Sequence, residues 1–131
     1  MTNEEMFELL DVNNSEEKQK KGLDYARTIK QLDVFLQPSF ADDKMVWNNC
    51  ALILSEKSDE ELEPYLVELL EWLQDMNWPG ADVIMNRLMK YEKSPIFMMS
   101  LSYCINCIEK INDDVWRENV KDLVNNTFAV I

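Results

Sequence analysis

The residues best suited to do chemistry are a Cys104-x-x-Cys107 pair and three adjacent acid pairs, Asp42-Asp43, Glu60-Glu61 and Asp113-Asp114. Paired thiols serve disulfide exchange or zinc, and paired carboxylates serve acid–base or glycosidase-type reactions. Redox use needs a thiolate activated near a helix N-terminus, whereas Cys104 and Cys107 fall well inside a predicted helix. Zinc needs two further ligands, and a chain without histidine offers only Cys50 and carboxylates. The pair therefore reads as small apolar packing residues. Each acid pair stands at an expected helix start, where capping and the helix dipole account for it. The run Asp11-Val12-Asn13-Asn14-Ser15 imitates the start of a calcium loop, but Glu16 occupies the glycine position and Gly22 the position of the bidentate acid. Two glycines, Gly22 and Gly80, make no phosphate cradle. No catalytic residue, cofactor or metal is expected, and the chain reads as a non-enzyme.

The elements that would position such residues follow from apolar spacing. Apolar side chains recur every three or four residues across 131 positions, with only 2 glycines and 4 prolines, which predicts a single all-α domain over 1–131. A short helix is expected near 3–10, ending in the polar turn from Asp11 to Asn14. Ser15 caps a second, long helix to about Leu36, with Tyr25, Ile29, Leu32 and Leu36 as its stripe, and Pro38 closes it. Asp42 or Asp43 caps a third helix over 44–57, with Met45, Val46, Cys50, Ile53 and Leu54 inward. Ser58 and Glu61 form a capping box for the fourth. Pro64 either kinks that helix or opens its main part after a separate tight turn over 59–62. Asn77-Trp78-Pro79-Gly80 is the next turn, and Pro79 and Gly80 begin a fifth helix to about Tyr91 with Val83, Ile84 and Leu88 inward. Ser94-Pro95 opens a sixth, with Leu101, Cys104, Ile105, Ile108 and Ile111 inward. Asp113 caps the last, which carries Trp116, Val120, Leu123 and Val124.

The stretch Leu62-x-x-Tyr65-Leu66-x-x-Leu69-Leu70-x-Trp72-Leu73-x-Asp75-x-Asn77-Trp78-Pro79-x-Ala81, continuing to Arg87-Leu88, resembles a HEAT-type helical repeat. Asp75 and Asn77 match that repeat's turn, and Gly80 departs from it near where many such repeats carry arginine. The segment from Trp72 to Ala81, W-L-Q-D-M-N-W-P-G-A, also resembles the signature of an uncharacterised family of small bacterial proteins. The resemblance begins near Trp47-Asn48-Asn49-Cys50-Ala51 and reaches about Leu88. It implies a small HEAT-like α-solenoid of about three antiparallel helical hairpins plus a short N-terminal helix.

Charge narrows the function classes. Against 13 Lys and Arg stand 25 Asp and Glu, a net charge of −12. Without histidine there is no Ser-His-Asp or Cys-His pair and no imidazole pH switch. A polyanion repels phosphate backbones, so no nucleic-acid partner is expected. Charges interrupt every apolar stretch, so no membrane span is expected. Glu4, Glu5 and Glu8 do not suit a signal peptide, and 3 cysteines make no disulfide framework. A cytoplasmic location is expected.

On a helical wheel the fourth helix puts Leu62, Tyr65, Leu66, Leu69, Leu73 and Met76 on one side. Glu60, Glu61, Glu63, Glu68, Glu71 and Asp75 fall on the other. From Glu56 to Asp75 there are eight acids and one base, Lys57. This is either a docking face for a basic partner or a solvated helix face. Trp47 and Trp116 read as core, Trp72 falls at the margin of the fourth helix's apolar side, and Trp78 either staples two helices or lies at a binding edge. The partner-binding candidates are Glu60, Glu61, Glu68, Glu71, Asp75 and Trp78. The expected function is a non-enzymatic protein-binding module, in its sharpest form an immunity protein neutralising a basic toxin. The alternative is a regulatory or scaffolding domain with a hydrophobic groove for a partner helix.

Overall fold

The computed structural model describes residues 1–39 and 44–128, excluding the side chain of Phe128, and the described residues are all-helical with no strand. Helix α1 spans Asn3–Leu9, capped by the Thr2 hydroxyl, and α2 spans Glu16–Ala26, capped by Ser15. The long second helix expected to reach Leu36 instead stops at Ala26. Thr28 ends it: its N–H and its hydroxyl both donate to the Tyr25 carbonyl, at 2.9 and 2.6 Å, and Ile29 N–H turns to Ala26 at 3.1 Å. These tighter bonds replace the helical ladder. A 3₁₀ turn over Leu32–Phe35 follows and carries Leu32 and Phe35 into the core.

Helix α3, Lys44–Ser55, has seven buried residues, among them Trp47, Cys50 and Ala51. Its expected cap, Asp42 or Asp43, lies outside the described residues. Met45, expected inward, is exposed, because the buried face runs through Val46, Trp47 and Asn49 instead. Both halves of the Ser58–Glu61 capping box form, opening the short α4, Asp59–Leu62. Pro64 then sits in a 3₁₀ turn over Glu63–Tyr65, and α5 runs over Leu66–Glu71 before a second turn, Trp72–Gln74. Residues 59–62 are thus the separate turn that one reading of Pro64 required. A proline without an N–H is accommodated by tightening the backbone around it.

The Asp75 carboxylate accepts the Asn77 N–H at 2.8 Å and its carbonyl accepts the Trp78 N–H at 3.0 Å. Gly80 follows at φ 85°, a left-handed conformation that no helix continues, so the helix expected from Pro79 and Gly80 to about Tyr91 instead spans Ala81–Met89, as α6. Helix α7, Pro95–Ile111, opens on Ser94 and closes on Asn112 in the left-handed conformation. Helix α8, Asp114–Phe128, follows, with the Asp113 carboxylate accepting the Trp116 N–H at 3.0 Å. Ile105 and Ile111, expected inward, are exposed, because α7 buries only one side, through Phe97, Leu101, Cys104 and Ile108.

Helix α3 packs on α6, α5 on α7, and α8 on both α6 and the Trp72–Gln74 turn. One apolar cluster links buried residues from Met6 to Leu123. Three indoles are pinned by their N–H groups where helices break. Trp47 donates to the Pro38 carbonyl at 3.0 Å, Trp72 to Pro79 at 3.2 Å and Trp116 to Leu70 at 3.1 Å. Such rings contribute large apolar area while their one donor stays satisfied. Trp47 meets Trp72 and Trp78 edge-on, with centroids 6.1 and 5.7 Å apart. Among the described residues no helix is long and apolar enough to cross a membrane.

Candidate functional site

The break around Pro64 divides the acidic candidates between two segments. Glu60 and Glu61 stand in α4, Glu68 and Glu71 in α5, and Asp75 in the following turn. Three of the six candidates are engaged in local structure. Glu61 accepts the Ser58 N–H at 3.2 Å, which with the Ser58 hydroxyl holds its carboxyl below the ordinary glutamate range. Asp75 fixes the turn, and Trp78 is half-buried with its ring against Trp47. Glu60, Glu68 and Glu71 are exposed and make no ion pair with a described residue.

Glu71 lies at the edge of a groove between α5 and α7. The groove, of about 260 Å³, has Val67, Glu71 and Gln74 on one wall and Tyr103, Cys107 and Ile111 on the other, and Trp116 also lines it. The α5 wall follows from helical geometry, since positions 67, 71 and 74 share a face while Leu66, Leu69 and Leu70 point into the core. Burial against the groove, and then the nearby Glu68 carboxylate, push the Glu71 carboxyl above the ordinary glutamate range. The apolar α7 side continues outward to Met99. Met99, Tyr103 and Ile111 are 67%, 58% and 62% exposed. Sequence reasoning placed Ile111 inward and gave Met99 and Tyr103 no role. The available signal was an α7 apolar on both sides, which one buried face cannot absorb.

Two polar devices also escaped the sequence reading. The buried Asn49 amide donates to the Leu10 carbonyl at 2.8 Å and to Gln19 Oε1 at 3.0 Å, and Gln19 in turn donates to the Asn14 carbonyl at 2.8 Å. Arg87 donates to the Lys57 carbonyl at 2.9 Å and to Asp59 Oδ1 at 2.5 Å, while Asp59 Oδ2 accepts the Glu92 N–H at 3.0 Å. Both tie segments remote in sequence.

Burial pushes the Cys104 thiol up to about 12, with Cys107 adding to it, and burial alone pushes Cys50 to about 12. Thiols so held do not supply the thiolate that redox exchange requires. Among the described residues no group of three or more Cys, Asp and Glu side chains could hold a metal ion.

The class defined by this architecture is an all-helical chain, with no strand among the described residues. Residues 43–130 match the family described as Domain of unknown function (DUF5071), and the chain belongs to that family. The match takes in α3 to α8, while α1, α2 and the Leu32–Phe35 turn lie outside it. No curated protein and no solved structure matches the chain.

Proposed function

We propose that this chain is a non-enzymatic protein-binding module whose acidic helical surface holds a basic protein partner. One observation carries the reading. Six carboxylates between Glu60 and Asp75 take part in none of the ion pairs among the described residues, which involve Asp24, Glu56, Asp59, Glu109, Asp114 and Glu118 instead. Unpaired charge of one sign steers and selects a partner of the opposite sign. In its sharpest form the partner is a basic toxin and the chain its immunity protein, plugging a cationic surface with carboxylates.

The same reading takes the fold as a small HEAT-like α-solenoid of helical hairpins. Ser15, Ser58 and Ser94 each cap a helix by accepting the N–H three residues on, at 3.3, 3.1 and 3.2 Å, and these starts, 43 and 36 residues apart, support that reading. It also places the chain in the cytoplasm, in keeping with free thiols at Cys50, Cys104 and Cys107. The alternative, a regulatory or scaffolding domain with a hydrophobic groove for a partner helix, draws on the exposed apolar side of α7.

The test is charge reversal at the carboxylates that do not hold the fold together. The tagged chain should retain a basic protein from its source cell, and Glu60→Lys, Glu68→Lys and Glu71→Lys together should release it while leaving the helical content unchanged. Retention of the same partner by the triple variant, or recovery of only acidic or neutral partners, contradicts the proposal.

A further inference from the structure

Seven of the ten exposed large apolar side chains among the described residues fall between Ile96 and Val115, so the unpartnered apolar surface is concentrated on α7 and the start of α8. Met99, Tyr103, Cys107 and Ile111 are spaced four residues apart and therefore form one stripe. At 1.5 Å per residue that stripe is about 18 Å long, the length of a three-turn helix. A contiguous exposed apolar surface of this kind marks an interaction site more often than chance. The opposite wall of the groove carries Val67 and Glu71, with Glu68 beside them.

The geometry points to an amphipathic basic helix of a partner protein as the occupant of the α5/α7 groove, its apolar side on Tyr103 and Ile111 and its Lys or Arg side chains on Glu68 and Glu71. The inference rests on the binding reading above and names the partner's chemistry. Charge selects this occupant over the others. A second copy would bring another −12 charge, and an anionic lipid surface would meet the same carboxylates. A basic helix instead removes the stripe from water and supplies the cations that Glu68 and Glu71 lack within the chain. Helix-in-groove docking of this type anchors through residues at i, i+3, i+4 and i+7.

The probe is a 15-residue peptide, with leucine at those spacings and lysine elsewhere, titrated into the full chain and followed by NMR. Two controls accompany it: a scrambled peptide of the same composition, and a helical peptide of equal charge built from lysine, glutamine and alanine. The inference expects the amphipathic peptide to shift signals of Val67, Met99, Tyr103 and Ile111, and to bind at least tenfold more tightly than either control. Met99→Ser with Ile111→Ser should abolish that preference, and both side chains are exposed, so the fold should survive. Glu68→Gln with Glu71→Gln should weaken binding and flatten its salt dependence. If all three basic peptides bind alike and only the glutamine variants weaken them, the groove is overturned while the acidic-surface reading stands. Absence of binding by any basic peptide overturns both. A dimer in sedimentation that Ile111→Ser dissolves, or binding to zwitterionic vesicles in preference to the peptide, assigns the groove to another occupant and overturns the inference.

Discussion

The Asn49 side chain donates to the Leu10 carbonyl at 2.8 Å, joining residues 39 positions apart. Leu10 follows α1, outside the family match, and Asn49 lies within it. The bond therefore fastens the N-terminal helix pair to the portion shared with the family. A buried carbonyl that loses its donor bears a desolvation cost of about 1–3 kcal/mol. Asn49→Ala should lower the unfolding free energy by about that much in urea titration and speed amide exchange between residues 8 and 19. Asn49→Asp, which turns an acceptor or a charge toward Leu10, should cost more than the alanine.

Gly80 occupies a φ that side chains rarely adopt, and an added Cβ would lie 2.6 Å from the Ala51 Cβ and 2.9 Å from the Trp47 carbonyl oxygen. Backbone and a fully buried alanine cannot move aside as a flexible side chain could. Gly80→Ala should destabilise the chain by at least about 2 kcal/mol, in the range of overpacked or strained core positions. Thermal unfolding monitored by circular dichroism reads this directly.

Burial raises the Asp59 carboxyl, but the Glu92 N–H and the Arg87 guanidinium outweigh it and hold the group below its ordinary range. A carboxyl depressed in the folded state stabilises above its unfolded value, about pH 4, and loses that contribution as pH falls through the folded value. Asp59→Asn should therefore be less stable than the parent at pH 7, with the difference shrinking below about pH 4. Arg87→Lys should be destabilised as well, because one ammonium cannot reproduce the guanidinium's contacts to Lys57 and Asp59.

Glu71 has the opposite sign. Its raised carboxyl contributes stability fully present below the unfolded value, and that contribution is lost as pH rises through the folded value. Glu71→Gln should consequently be as stable as the parent or more stable at pH 7, with the gain vanishing in acid, while binding of a basic partner weakens. Opposite effects on stability and binding separate a docking carboxylate from a structural one. Paired denaturation and titration curves at pH 4 and pH 7 make the comparison.

The sequence made the caps legible because each is a local chemical event. Ser15, Ser58, Ser94 and Asp113 all accept the N–H three residues ahead, as their positions before apolar runs predicted. Helix length was less legible after Tyr25, because the Tyr25, Ile29, Leu32 and Leu36 spacing suits a helix and a turn alike. Thr28 decided it through a hydroxyl bond that periodicity does not register. Inward faces were read wrongly at Met45, where the covered face of α3 runs through Val46, Trp47 and Asn49, and at Ile105 and Ile111, which lie off the buried side of α7. The sequence already tied Glu61 to a capping box and Asp75 to a turn, and both bonds form, whereas the lack of ion pairs at Glu60, Glu68 and Glu71 depends on contacts that only the folded chain makes.

Docking of a basic partner on the α5/α7 face is tested most directly by placing a photoreactive phenylalanine analogue at Tyr103 and, separately, at Val12 on the N-terminal helix pair, in the intact chain within its source cell. The Tyr103 position should yield one dominant adduct, with a strongly basic protein, and the adduct should disappear when Glu68 and Glu71 are changed to lysine. Val12 should yield no such adduct. Equal crosslinking at Val12, an acidic partner at Tyr103, or an adduct that persists after charge reversal would contradict the assignment of this face.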